Sequence, residues 1–258
     1  MEVHHHSHKP KNWKEYFVEF FMLFLAVSMG FVAENLRERQ IENERSEELI
    51  HAFIVDIKEN QKLLDSIIVY NQFQSNYFDS LSMEYAVKND GVDLIGLAKS
   101  LDLWMHRFIN RKAIFEQMKS SGALRYIRNS DLLKEILMYE EHAYLAEVRS
   151  MQSETDQYFD QFRPDLMKTL PPSFFIFQTA NNQDTFRDTE VYPGFEKHYR
   201  KNETALTNDL SNTKLSKEKI RHLSAIWHHR AERLQVSMMS QIALRKEGEN
   251  LLHHLETR

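Results

Sequence analysis

With 258 residues, 42% of them hydrophobic and 12% aromatic, the chain has enough apolar material for a core and is not disordered throughout. Six glycines and five prolines are too few for turn-rich sandwiches, barrels and nucleotide-binding α/β folds, so the expected class is all-α. The absence of cysteine removes disulfides, thiolate zinc sites and cysteine nucleophiles, and a net charge of −5 with both signs spread along the chain argues against nucleic acid as a partner.

Residues 1–12 form a tail rich in histidine and lysine. His4, His5, His6 and His8 are candidate metal ligands, because neutral imidazoles suit zinc, copper and nickel. A flexible His-rich tail also takes up metal adventitiously.

From Trp13 to Ala33 the chain reads WKEYFVEFFMLFLAVSMGFVA, with no charge after Glu19. A helix rises about 1.5 Å per residue and crosses a hydrocarbon core of about 30 Å in roughly 20 residues, so residues 13–34 are read as a transmembrane helix and the lipid bilayer as its partner. Trp13, Tyr16 and Phe17 stand where an aromatic belt lies. A cleaved signal peptide also has a basic start and an apolar stretch, and Ala26-Val27-Ser28 resembles a cleavage site; the expectation is nevertheless a signal-anchor.

Lys9, Lys11 and Lys14 precede the span, and Arg37, Arg39 and Arg45 follow it, so a count of basic residues does not orient it. The lysines sit in a short tail, whereas the arginines are interleaved with Glu34, Glu38, Glu42 and Glu44 and lead a large domain that translocates largely regardless of charge. The expected topology is an N-terminus in the cytoplasm and a domain in the periplasm.

Glu19, Leu23, Ala26, Gly30 and Ala33 share one stripe of the span. Ala26 and Gly30 form a small-xxx-small pair that admits a second helix closely, so this stripe is the candidate interface of a homo-oligomer. Glu19 is read either as an interfacial carboxylate reaching water or as a buried proton or ion site.

Nothing breaks the helix after Ala33. Residues 35–48 read as a charged, solvated stalk with opposite charges three apart, and residues 49–258 as an antiparallel helical bundle. Apolar spacing carries the first helix to about Val87, where Lys88-Asn89-Asp90-Gly91 predicts a turn. Further helices are predicted from Asp93 to Phe108, from Arg111 to Ser120-Ser121-Gly122, from Asn129 or Ser130 to Phe162 before Pro164, and from Ser216 to Leu255, with a helical turn at Leu124 and Ile127. Residues 163–195, holding Pro164, Pro171, Pro172 and Pro193, read as an irregular segment. Its Phe174, Phe175 and Phe177 are expected either to cover core or to offer a surface to an envelope protein partner.

No G-x-S-x-G, Walker loop or Gly-rich dinucleotide turn is present, so neither catalytic residues nor a cofactor are expected. His222 and His229 lie about 10 Å apart along a helix, too far for one metal, and His106 and His142 lack a matched ligand helix. These histidines are expected at surfaces or caps.

The run KEYFVEFFMLFLAV from Lys14, then Gly30 to Asn35, and the internal FEQMKSSGALRYIRN from Phe115 to Asn129 resemble an uncharacterised family of bacterial single-span envelope proteins of the inner membrane. That resemblance implies a His-rich tail, one membrane helix, a helical domain and an envelope location; it implies no activity. The functional expectation is a non-enzymatic, membrane-anchored, self-associating helical scaffold or partner-binding protein. The alternatives are an oligomeric pore or ion pathway at Glu19, or a ligand or metal sensor using the aromatic segment or the His tail. A pore calls for more than one polar ring, and Leu23, Ala26 and Gly30 supply none.

Overall fold

The computed structural model describes residues 12–101, 106–154, 160–181 and 195–257. Among these residues there is no strand, and the fold is all-α: α1 (Trp13–Val87), α2 (Leu94–Ser100), α3 (Ala113–Ser121), a 3₁₀ turn (Ala123–Tyr126), α4 (Ser130–Glu154), α5 (Arg163–Thr169), α6 (Pro172–Asn181), α7 (Phe195–Asn212) and α8 (Lys217–Glu256). One long N-terminal helix is thus followed by a helical domain. The chain divides into two compact units, Met1–Phe53 with Ala113–Ser130, and Ile54–Lys112 with Asp131–Arg258.

In the first unit, α3 and the 3₁₀ turn cover one side of α1. Phe53 and Phe115 meet with ring centres 6.2 Å apart, and Ile50 and Met118 are buried with them. Gly122 at φ +74° ends α3, a left-handed conformation that costs a residue with a Cβ, and the chain turns back there. The Ser46 hydroxyl then donates to the Ala123 carbonyl at 3.3 Å, and Arg125 reaches Glu42 at 3.5 Å. The charged stretch expected as a bare stalk is therefore covered in its second half. Glu34 pairs with Arg37 at 2.7 Å as the spacing predicts.

In the second unit, α8 runs antiparallel to α1. The cross-links descend one helix as they ascend the other: Lys58 to Glu256 at 2.6 Å, Asp65 to Arg245 at 2.5 Å, Asn71 to Gln241 at 3.4 Å and Ser82 to Ser224 at 2.8 Å. The apolar core gathers Phe78, Leu97, Leu101, Phe162, Leu166, Phe174 and Leu223 around Trp227. The α6 helix packs on α2 and α7, and α5 on α8. Asp93 caps α2 by accepting from the Gly96 amide at 2.9 Å, and Ser216 caps α8 by accepting from the Lys219 amide at 3.3 Å, both at helix starts where free amides need an acceptor.

Three expected elements are corrected. Residues 163–195 are not irregular where described: Pro164 lies in the first turn of α5 and Pro172 opens α6, positions where the missing amide costs nothing. Residues 182–194, with Pro193 and Tyr192, lie outside the described residues. The helix expected to Phe108 stops at Ser100, and residues 106–112 are held by side chains instead. The Phe108 amide donates to Ser150 at 3.0 Å, while Asn60 donates to Asn110 at 2.8 Å and accepts from the Arg111 amide at 3.0 Å. Finally, α7 is a helix where none was expected, since few of its apolar side chains face inward.

Candidate membrane anchor and associated surfaces

The N-terminal part of α1 is long and apolar enough to cross a membrane. Every large apolar side chain from Trp13 to Val32 is exposed, from 41% at Leu25 to 78% at Trp13. Aromatic pairs one turn apart stiffen this surface: Trp13 with Phe17 at 6.0 Å, Phe17 with Phe21 at 6.4 Å, and Phe20 with Phe24 at 6.5 Å between ring centres. No polar residue interrupts the band between Phe20 and Val27.

Glu19, Leu23, Ala26, Gly30 and Ala33 follow one another at spacings of three and four along this helix, which keeps them on one face. A Cβ added at Gly30 would meet no atom within 4 Å. The chain's own packing therefore gives no reason for glycine there, although glycine lowers helix stability by about 1 kcal/mol relative to alanine. His4, His5, His6 and His8, with Lys9 and Lys11, lie outside the described residues.

Two of the three phenylalanines expected as a partner surface are not available to a partner. Phe174 and Phe177 are buried in the core of the second unit, and Phe175 is half-buried against it; the exposed apolar residue of α6 is Ile176. Helical periodicity sends Phe174 and Phe177 to the same inward face, a pattern hidden when the segment is read as irregular.

His106, His142, His222, His228, His229, His253 and His254 sit at surfaces, as expected. His142 Nδ1 lies 2.6 Å from Glu247 Oε2, and His254 Nδ1 lies 2.6 Å from Glu135 Oε2. His228 and His229 stand 3.9 Å from Asp79 and Glu232, and the His106 ring packs edge-on to Tyr70 with centres 4.0 Å apart. Among the described residues no three of His, Asp and Glu converge as a metal site.

Sequence reasoning did not find two grooves. In the first unit an open groove of about 500 Å³ runs between α1 and α3, with Leu49, Ala52 and Ile114 as floor and Glu42, Arg45 and Tyr126 at the rim. The Tyr126 hydroxyl donates a hydrogen bond to the Glu42 carboxylate, which pushes its pKa up and keeps the phenol protonated. In the second unit Ile176, Tyr199 and Leu206 line a groove of about 390 Å³ between α6 and α7; at its edge Ser173 Oγ donates to Asp209 at 2.5 Å. The second groove had no signal because α7 itself was not legible. In the interior of the second unit, Asn110 also donates to the buried Glu140 at 3.0 Å, and burial pushes the pKa of Tyr139 well up. That cluster joins α1, α4 and residues 106–112 and is an internal scaffold.

Compared with models of protein families, with curated proteins and with solved structures, the chain finds no match.

Proposed function

We propose that this protein is a membrane-anchored helical scaffold or partner-binding protein of the cell envelope, without catalysis, whose span self-associates. The observation that carries the reading is the exposed apolar surface from Phe20 to Val32, which holds no charged residue. Contiguous apolar surface of that size has no stable place in water, and a lone helix satisfies its own backbone in lipid. The resemblance of the span and of the Phe115–Asn129 segment supports an inner-membrane location, and the short lysine-bearing tail before the span, against arginines interleaved with glutamates after it, supports residues 1–12 in the cytoplasm and the helical domain in the periplasm.

That orientation is tested by one cysteine in a chain that has none. Asn89 is exposed in the turn after α1. Asn89→Cys is expected to react with a membrane-impermeant maleimide in intact spheroplasts; labelling that requires lysis means the domain faces the cytoplasm.

Self-association follows from Ala26 and Gly30. Apolar burial does not drive helices together in lipid, so close backbone approach must supply the attraction. Gly30→Leu and Ala26→Leu keep the span apolar but fill the space a neighbour would use. Both are expected to reduce association of the full protein by about tenfold or more in a membrane dimerisation reporter, equivalent to about 1.4 kcal/mol. Leu25→Ala, roughly 100° round the helix from Ala26, should change it little. Equal behaviour of control and test variants would place any interface elsewhere.

A further inference from the structure

Beyond the span, Leu36, Arg39, Gln40, Glu44, Glu47 and Glu48 recur at intervals that keep them on one face of α1. The segment after the 3₁₀ turn brings Arg128 beside that face, and together they line an open groove of about 750 Å³. The groove belongs to the same compact unit as the span, so the helix itself sets its height. At about 1.5 Å per residue, Leu36 stands roughly 5 Å beyond Ala33 and Arg39 roughly 9 Å. The headgroup layer extends about 5–8 Å past the hydrocarbon core. Helical side chains lean toward the N-terminus, here the membrane side, and a long arginine reaches further back. The Leu36 end of the groove therefore opens onto the lipid headgroups.

Charge is divided along its length. Arg39 lies toward the membrane, and Glu44, Glu47 and Glu48 follow it outward. Arg37 is held by Glu34 at 2.7 Å and Arg125 lies 3.5 Å from Glu42, whereas Arg39 and Arg128 form no ion pair among the described residues. Gln40 donates to Glu44 at 3.1 Å, which steadies the carboxylate nearest the membrane. Two guanidinium groups suit a phosphate, because their paired N–H donors match its oxygens. Three carboxylates against those two cations leave the groove with negative charge in excess, so a ligand that is only anionic is disfavoured and one that also carries an ammonium is preferred.

We propose, on the reading of residues 13–34 as a membrane anchor, that this groove binds the headgroup of a zwitterionic aminophospholipid of the phosphatidylethanolamine class. Arg39 and Arg128 take the phosphate, Glu44 faces the ammonium, and Leu36 touches the glycerol end. Glu47 and Glu48 lie behind Glu44 and add the negative potential that turns away a purely anionic headgroup. The order of groups matches the order of the lipid, whose acyl chains, phosphate and ammonium follow one another outward. Phosphatidylglycerol has the phosphate without the cation, and phosphatidylcholine has a cation without N–H donors for a carboxylate.

The test is native mass spectrometry of the full-length protein in detergent, titrated separately with phosphatidylethanolamine, phosphatidylglycerol and phosphatidylcholine. One exposed ion pair is worth up to about fivefold, so phosphatidylethanolamine is expected to be retained about fivefold or more over either competitor. Arg39→Gln with Arg128→Gln should lower its retention by about fivefold or more. Glu44→Gln, Glu47→Gln and Glu48→Gln together should turn the preference toward phosphatidylglycerol. Arg37→Gln, at a residue paired outside the groove, should change neither. Soluble phosphoethanolamine separates the two sources of this chemistry: it should not displace the lipid at equal concentration, and displacement would assign the groove to a free aminophosphate and overturn the lipid. Equal retention of the three lipids by wild type, or a preference that survives either set of substitutions, overturns the site. Far-UV circular dichroism identifies a set that unfolds the protein, and the other set then decides. Carbonate extraction keeps the two readings apart. Wild type in the membrane pellet without the lipid preference sinks the groove alone, whereas wild type in the supernatant sinks the anchor and the groove with it.

Discussion

Trp227→Ala is expected to destabilise the second unit by about 3–5 kcal/mol, the range for removing a large aromatic from a packed interior. Trp227 is fully buried, stacked on Phe78 with ring centres 5.7 Å apart and edge-on to Phe162 at 6.0 Å. It thereby ties α8 to α1 and to the residues preceding α5. Its indole nitrogen has no hydrogen-bond partner among the described residues, so the ring acts through packing. Trp227→Phe keeps the stack and removes that buried donor, and should cost at least about 2 kcal/mol less than the alanine variant. Urea unfolding followed by circular dichroism measures both. Equal losses would mean that the indole N–H is engaged and that packing is not the main contribution of this residue.

The parts of this fold that were legible in the sequence are those where one physical rule acts alone. No residue after Gly30 interrupts α1 until Lys88-Asn89-Asp90-Gly91, and Gly91 is at φ +70° where the helix has ended. Gly122 closes α3 for the same reason. Ser216 starts α8 because its side chain accepts from the Lys219 amide. The Pro164 and Pro172 segments were misread because proline signals both a loop and the first turn of a helix, and the α5 and α6 helices it opens are too short to establish a period. Residues 106–112 were unreadable in another way: Asn60, Glu140 and Ser150 hold them from distant parts of the chain, and long-range hydrogen bonds leave no local pattern. The reciprocal His–Glu pairs of α4 and α8 also became visible only once the two helices were set antiparallel.

The candidate anchor is the other extreme, since its character lies in contiguous composition rather than in tertiary contacts. Leu25→Arg is expected to abolish stable insertion. Leu25 lies near the middle of the apolar run and is 41% exposed, so no other part of the chain shields a charge placed there. An arginine at a helix centre costs about 2.5–3.5 kcal/mol on insertion scales, and a run only just long enough to span has little surplus hydrophobicity to offset it. Leu36 supplies the position control. It is also exposed, at 61%, but lies beyond Glu34 and about 16 Å further along the axis, so Leu36→Arg should leave insertion unchanged. Alkaline carbonate extraction of membranes from expressing cells reads the result, with wild type and Leu36→Arg in the pellet and Leu25→Arg in the supernatant. If Leu25→Arg stays in the pellet, the apolar surface of residues 13–33 must be covered by protein instead of lipid, and the anchor reading fails with it.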